Sequence, residues 1–200
     1  MQFSFVEPSD PSSPPLILLH GSGGKETDML PVAAAAAPGA AVFSVRGAVA
    51  WEGGYAFFRR LPDRSIDEDS IRAEAPALAA FVAEIIAGHP GRSSPILVGF
   101  SNGAIMAAAL VMLFPDLVGG AALLRPLSPF ATPTETRLRA MPVLVVDAIN
   151  DVRRQAGDGA AMAAQLRGAG AIVDHHSLNS GHGLTDDDLA LLRGWLATVA

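Results

Sequence analysis

The chain of 200 residues contains no cysteine. Disulfides, thiolate catalysis and cysteine-ligated metals are excluded together, and the redox compartment stays open. Charge is scarce as well, at 17% of residues, and it carries no positive excess, with a formal net charge of −6. That balance argues against nucleic acid as the main partner. Long hydrophobic runs are also missing, because Gly, Pro or a charged residue breaks each apolar stretch short of membrane-span length. Residues 1–10 have neither a basic n-region nor an apolar h-region, so no secretion signal and a cytoplasmic location are expected. There is no repeat, no low-complexity tract and no sign of a second domain; one domain over 1–200 is the expectation. What the chain does have is apolar residues, half of the total, enough for a core that needs no covalent staples.

Those apolar residues fall into short continuous runs that alternate with longer ones. Leu16–Leu19, Ala41–Val45, Pro95–Val98, Val118–Leu124, Pro142–Asp147 and Ala171–His176 read as strands, most of them buried on both faces. Gln2–Val6 alternates and reads as an edge strand. Met29–Ala37, Asp67–Ala87, Ile105–Phe114, Gly159–Arg167 and Thr185–Val199 read as helices, with Pro76 expected to kink or divide the second. Thr185 is the expected N-cap of the last helix, and Asp186-Asp187-Asp188 reads as its solvated start. Residues 46–64 show no clear period. Strands alternating with helices predict an α/β fold with a mostly parallel sheet covered on both faces.

The chemistry centres on Gly99-Phe100-Ser101-Asn102-Gly103, which follows a strand and opens a helix. In that context G-x-S-x-G places a serine on a strained turn at the top of the sheet. A serine hydroxyl needs a base, and the base needs an acid to hold its tautomer. Among His20, His89, His175, His176 and His182, the last lies in the glycine loop Ser180–Gly183 after the final strand. Ligands of open α/β sheets bind at that end, which favours His182 as the base. Asp151 is the preferred acid, in the loop after the strand ending at Asp147, with Asp147 itself the competitor. A tetrahedral oxyanion needs two N–H donors. Asn102, after the serine, offers one, and Ser22 in His20-Gly21-Ser22-Gly23-Gly24 offers the other. The same glycine loop lacks the spacing of a phosphate-binding loop. No His and carboxylate cluster has metal-ligand spacing, so no metal is expected.

These motifs, with Arg46-Gly47, Glu52, Phe57-Phe58-Arg59-Arg60, Asp67-Glu68-Asp69 and Leu124-Arg125-Pro126-Leu127, resemble the phospholipase/carboxylesterase group of serine α/β-hydrolases. Within it the chain is similar to bacterial carboxylesterases related to the hydroquinone-resistance hydrolases. The resemblance covers nearly the whole chain. It implies an α/β-hydrolase fold without a large lid domain, no cofactor, and hydrolysis of small soluble esters through an acyl-enzyme on Ser101, His182 and Asp151. Thioesterase or lysophospholipase activity would use the same machinery, and a non-catalytic ligand-binding protein is the alternative of another class. Phe57, Arg59 and Leu127 are the expected substrate-pocket residues, against the plainer reading of a Glu–Arg pair pinning a loop over core phenylalanines. The expected partner is a small-molecule ester, with a homodimer left open.

Overall fold

A computed structural model describes residues 1–10, 12–89, 93–132 and 134–199. The first half contains β1 (Phe3–Val6), β2 (Leu16–Leu19), α1 (Leu30–Ala36), β3 (Val42–Val45), β4 (Val49–Trp51), β5 (Gly54–Ala56) and α2 (Glu68–Gly88). The second contains β6 (Ile96–Phe100), α3 (Asn102–Leu113), β7 (Gly120–Leu124), β8 (Pro142–Ala148), α4 (Asp158–Gly168), β9 (Ile172–Leu178) and α5 (Asp186–Val199). Seven strands form one sheet in the order β1-β3-β2-β6-β7-β8-β9. Only β1 runs antiparallel, against β3.

Side chains alternate along each strand, so the two faces of the sheet bury different residues. Leu16, Leu18, Val98 and Val146 pack with Ala33, Leu192 and Trp195, under α1 and α5. Ile17, Leu19, Leu97 and Val145 face the other way, onto Leu78, Val82, Ile105 and Met162 of α2, α3 and α4. Because both faces are covered, no polar alternation survives in the central strands, which is why they read as continuous apolar runs. Every residue of α3 from Asn102 to Met112 is buried. Its alanines let the helix lie close against the sheet without overfilling the core.

Two details of α2 follow from its sequence. The Asp67 carboxylate caps it, accepting from the Ser70 N–H at 2.9 Å. Replacing Asp67 with Ala is expected to cost about 1 kcal/mol in urea unfolding; an unchanged midpoint would show that the cap is idle. Of the two alternatives expected at Pro76, division does not occur, and α2 runs on to Gly88. Pro76 lies on the exposed side, where the carbonyl left without a partner one turn earlier faces water.

The aperiodic stretch after β3 contains a hairpin, β4 with β5, that the sequence pattern does not disclose. It reaches the loop after β2, where Gly23 N–H donates to Tyr55 O at 2.9 Å and Tyr55 N–H to Gly24 O at 3.0 Å. Just beyond it, Phe57 N–H donates to Asn102 Oδ1 at 2.7 Å. The hairpin therefore ties the glycine loop of β2 and the first turn of α3 to one support.

Candidate active site

The C-terminal ends of the parallel strands lie level. Leu19 pairs with Gly99, Phe100 with Leu124, and Leu124 with Val146. The loops that leave them consequently meet at one edge of the sheet, the place where open α/β sheets carry their sites.

Ser101 stands at the end of β6 with φ 52° and ψ −107°. A non-glycine residue with positive φ is uncommon, and such strain persists only where the surroundings enforce it. Here Ser101 N–H extends the ladder to Leu124 O at 2.8 Å, while the chain turns at once into α3. The flanking glycines make that turn sterically feasible. A Cβ on Gly103 would lie 2.1 Å from Leu19 O, and one on Gly99 would lie 2.5 Å from Gly103 O. No side chain fits either contact.

His182 Nε2 lies 2.9 Å from Ser101 Oγ, and His182 Nδ1 lies 2.7 Å from Asp151 Oδ2. With Nδ1–H donating to the carboxylate, Nε2 is left as the acceptor facing the hydroxyl. Asp151 Oδ1 accepts from Arg153 N–H at 2.8 Å, so both its oxygens are engaged. Burial alone would raise the Asp151 carboxyl. The His182 and Arg153 hydrogen bonds and the His182 and Arg154 charges outweigh that and hold it below the ordinary carboxylate value. Burial pushes His182 below its ordinary value, with the charges of Arg154 and Arg153 acting the same way against the pull of Asp151. The structure thus brings Ser101, His182 and Asp151 together. Asp147 lies elsewhere, its Oδ2 3.4 Å from His175 Nε2.

Two free N–H groups border the serine. Asn102 is the first residue of α3, and its N–H has no acceptor within the helix. Ser22 follows His20 and Gly21, and its N–H donates to no acceptor among the described residues. His20 is buried and fixes this loop. Its Nε2 accepts from Gly47 N–H at 3.1 Å, which leaves Nδ1–H to donate to Gly21 O at 2.6 Å. Burial lowers its pKa, in keeping with a neutral ring.

The cleft over Ser101 measures about 950 Å³ and takes in Ser22, Leu127, Arg60 and Arg154. Leu127 lines it as expected. Phe57 and Arg59 do not. Phe57 is 3% exposed and packs beneath the His20 ring, because the hairpin turns it into the core. Arg59 points to solvent, with Nε 3.9 Å from Asp67. Glu52 pairs at 3.6 Å with Arg64, rather than with the expected Arg59 or Arg60, and both side chains are exposed.

A further correction concerns the acidic run. Asp186 and Asp187 are exposed, but Asp188 is fully buried against Arg125, with oxygen–nitrogen distances of 2.7 and 2.9 Å. Thr185 stands just before α5, and its N–H and hydroxyl both donate to Asp188 Oδ2. Arg125 in turn donates to Gly181 O, Gly183 O and Ser180 Oγ, the residues around His182. A helix turns about 100° per residue, so one aspartate of three faces inward. The motif Thr185-x-x-Asp188, a capping-box pattern, is the sequence signal that singles it out.

The family model described as Phospholipase/Carboxylesterase matches residues 1–150. The putative hydrolase MhqD of Bacillus subtilis (strain 168) is 32% identical over 181 residues, 90% of each chain. The chain belongs to the phospholipase/carboxylesterase family. Among solved structures, the Bacillus cereus carboxylesterase matches at TM-score 0.92 and 32% identity, covering 98% of this chain and 93% of that one. A Mesorhizobium loti carboxylesterase matches at TM-score 0.86 and 35% identity, covering 92% and 88%. Family and neighbours together support a carboxylic ester hydrolase with the α/β-hydrolase fold. The residues matched to the phospholipase/carboxylesterase family include Ser101, while Asp151 and His182 follow them. Among the described residues no group of three His, Asp or Glu could hold a metal, and no helix is long and apolar enough to cross a membrane.

Proposed function

We propose that this protein is a cytoplasmic serine esterase, one domain over residues 1–200, that hydrolyses small soluble esters through an acyl-enzyme on Ser101. The observation that carries this reading is the hydrogen-bonded chain from Ser101 Oγ to His182 to Asp151, at 2.9 and 2.7 Å. His182 takes the hydroxyl proton as Oγ attacks the ester carbonyl, then returns it to the departing alcohol. Asp151 holds His182 in the tautomer with Nε2 free and stabilises the imidazolium. The N–H groups of Ser22 and Asn102 receive the oxyanion. Water activated by His182 then releases the acid, and Leu127 forms part of the wall of the cleft.

The test is the pH profile of kcat/KM on 4-nitrophenyl esters of rising acyl length. His182 must be neutral to act, and its pKa is depressed. Activity is therefore full at neutral pH and is lost as pH falls, with a midpoint below the ordinary value of about 6.5. A profile flat from pH 5 to 8 would remove His182 as the base, whereas a midpoint above pH 7 would show that the pull of Asp151 outweighs burial. Absence of turnover on every ester would remove the reading.

A further inference from the structure

Arg154 occupies an unusual position for a cation. Its Nη2 is 3.2 Å from Ser101 Oγ. Nε and Nη2 both donate to Arg125 O, at 3.0 and 2.6 Å, and Nη1 donates to Arg153 O at 3.0 Å. The receiving carbonyl is itself aimed by strain, since Arg125 has φ 58°. The guanidinium is thus fixed beside the serine by backbone oxygens, which carry no formal charge. It forms no ion pair among the described residues.

The carboxylates nearest to it have other partners. Asp151 holds His182 and the Arg153 N–H, and Asp158 accepts from Gln155 N–H at 2.7 Å. The other two acids of the cleft are also occupied, Glu52 by Arg64 and Glu68 by Ala131 N–H. Arg60 and Arg153 line the same cleft, also without an ion pair among the described residues, and so add to its positive character. Burial lowers the pKa of Arg154 to about 10, against the pull of the Asp151 and Asp158 charges and with the Arg60 and Arg153 charges acting the same way as burial, so it remains a cation at neutral pH. A neutral donor would serve equally well to satisfy Arg125 O. Holding a desolvated charge there favours an anion in the cleft.

We infer that Arg154, with Arg60 beside it, is a carboxylate-binding subsite, and that the preferred substrate is an ester bearing a free carboxylate a few bonds from its scissile carbonyl. This rests on the esterase reading above. The spacing follows from the 3.2 Å between Nη2 and Oγ, because a carbonyl in attack position on Oγ leaves only a short reach to the guanidinium. A monoester of a short dicarboxylic acid fits, with the carboxylate on the acyl side. An acylated hydroxy acid fits with the carboxylate on the alcohol side.

The experiment compares charged and neutral partners of matched length by pH-stat titration. Monoethyl succinate is set against ethyl pentanoate for the acyl side, and 3-acetoxypropanoate against butyl acetate for the alcohol side. In the wild type kcat/KM favours the charged ester by about tenfold or more in one arm, the arm identifying the side. In Arg154→Gln that ratio falls about tenfold or more, and Arg154→Lys, which keeps the charge but not the fork, recovers part of it. A wild-type ratio at or below one in both arms overturns the subsite while leaving the esterase intact, and it needs no variant to fold. A ratio unchanged by Arg154→Gln also overturns it. If no ester is turned over, the esterase reading fails and the subsite with it.

Discussion

Ser101→Ala leaves a folded protein that no longer turns over esters. The expected loss in kcat is on the order of 10⁴–10⁶-fold, because without the nucleophile only binding and oxyanion stabilisation remain. Stability should change little. The hydroxyl contacts His182 and Arg154, and each keeps its other partners, Asp151 for the first and the Arg125 carbonyl for the second. Alanine inherits the strained φ of 52° without adding to it. Thermal unfolding alongside product release separates the two effects. His182→Ala should lose about as much, and the double variant little more, because the members act as one unit. Retention of more than a hundredth of wild-type kcat in Ser101→Ala, with the fold intact, would sink the acyl-enzyme.

Asp188→Asn is expected to cost about 3–5 kcal/mol of unfolding free energy, since it strands a fully buried guanidinium. The same change should lower kcat. Arg125 donates to residues on both sides of His182, and an imidazole displaced by even an ångström no longer lies between Ser101 and Asp151. Removing both charges as Arg125→Met with Asp188→Leu should recover most of the stability, because an apolar pair escapes the desolvation cost. It should not recover the activity, as nothing then holds the carbonyls of Gly181 and Gly183. Urea unfolding together with kcat on one ester distinguishes the two. Full recovery of kcat in the double variant would show that the ion pair is mere filling.

What the sequence disclosed, and what it did not, divides along a physical line. The central strands lie within a residue or two of their expected bounds, because burial on both faces writes itself as apolar runs. Ser101, His182 and Asp151 were legible because loops at the ends of successive parallel strands must meet. The hairpin of Val49–Trp51 with Gly54–Ala56 was not, since its strands are three residues each, too short to show a period. Phe57 and Arg59 were misplaced because an aperiodic segment does not reveal which side chain turns inward. Arg154 follows the acid by three residues in an irregular loop, where spacing predicts no direction, and only the fold brings it to Ser101. Asp188 was hidden by its identical neighbours.

The burial of α3 along nearly its whole length also sets the order in which the site comes apart. Stability is uneven within a fold, and segments with few apolar contacts open first. The amide hydrogens of residues 104–112, packed on every side, exchange with solvent only when the entire molecule opens. The loops carrying Asp151 and His182 leave β8 and β9 at one margin of the sheet and expose more of their residues, so their hold on the core runs through the Asp151–His182 contact and the Arg125 bonds to Ser180, Gly181 and Gly183. Short of global unfolding, the nucleophile is expected to keep its pose, and base and acid to keep theirs only while Arg125 stays paired with Asp188. Whatever loosens that one buried pair is therefore expected to silence catalysis while the helix behind the serine stays closed.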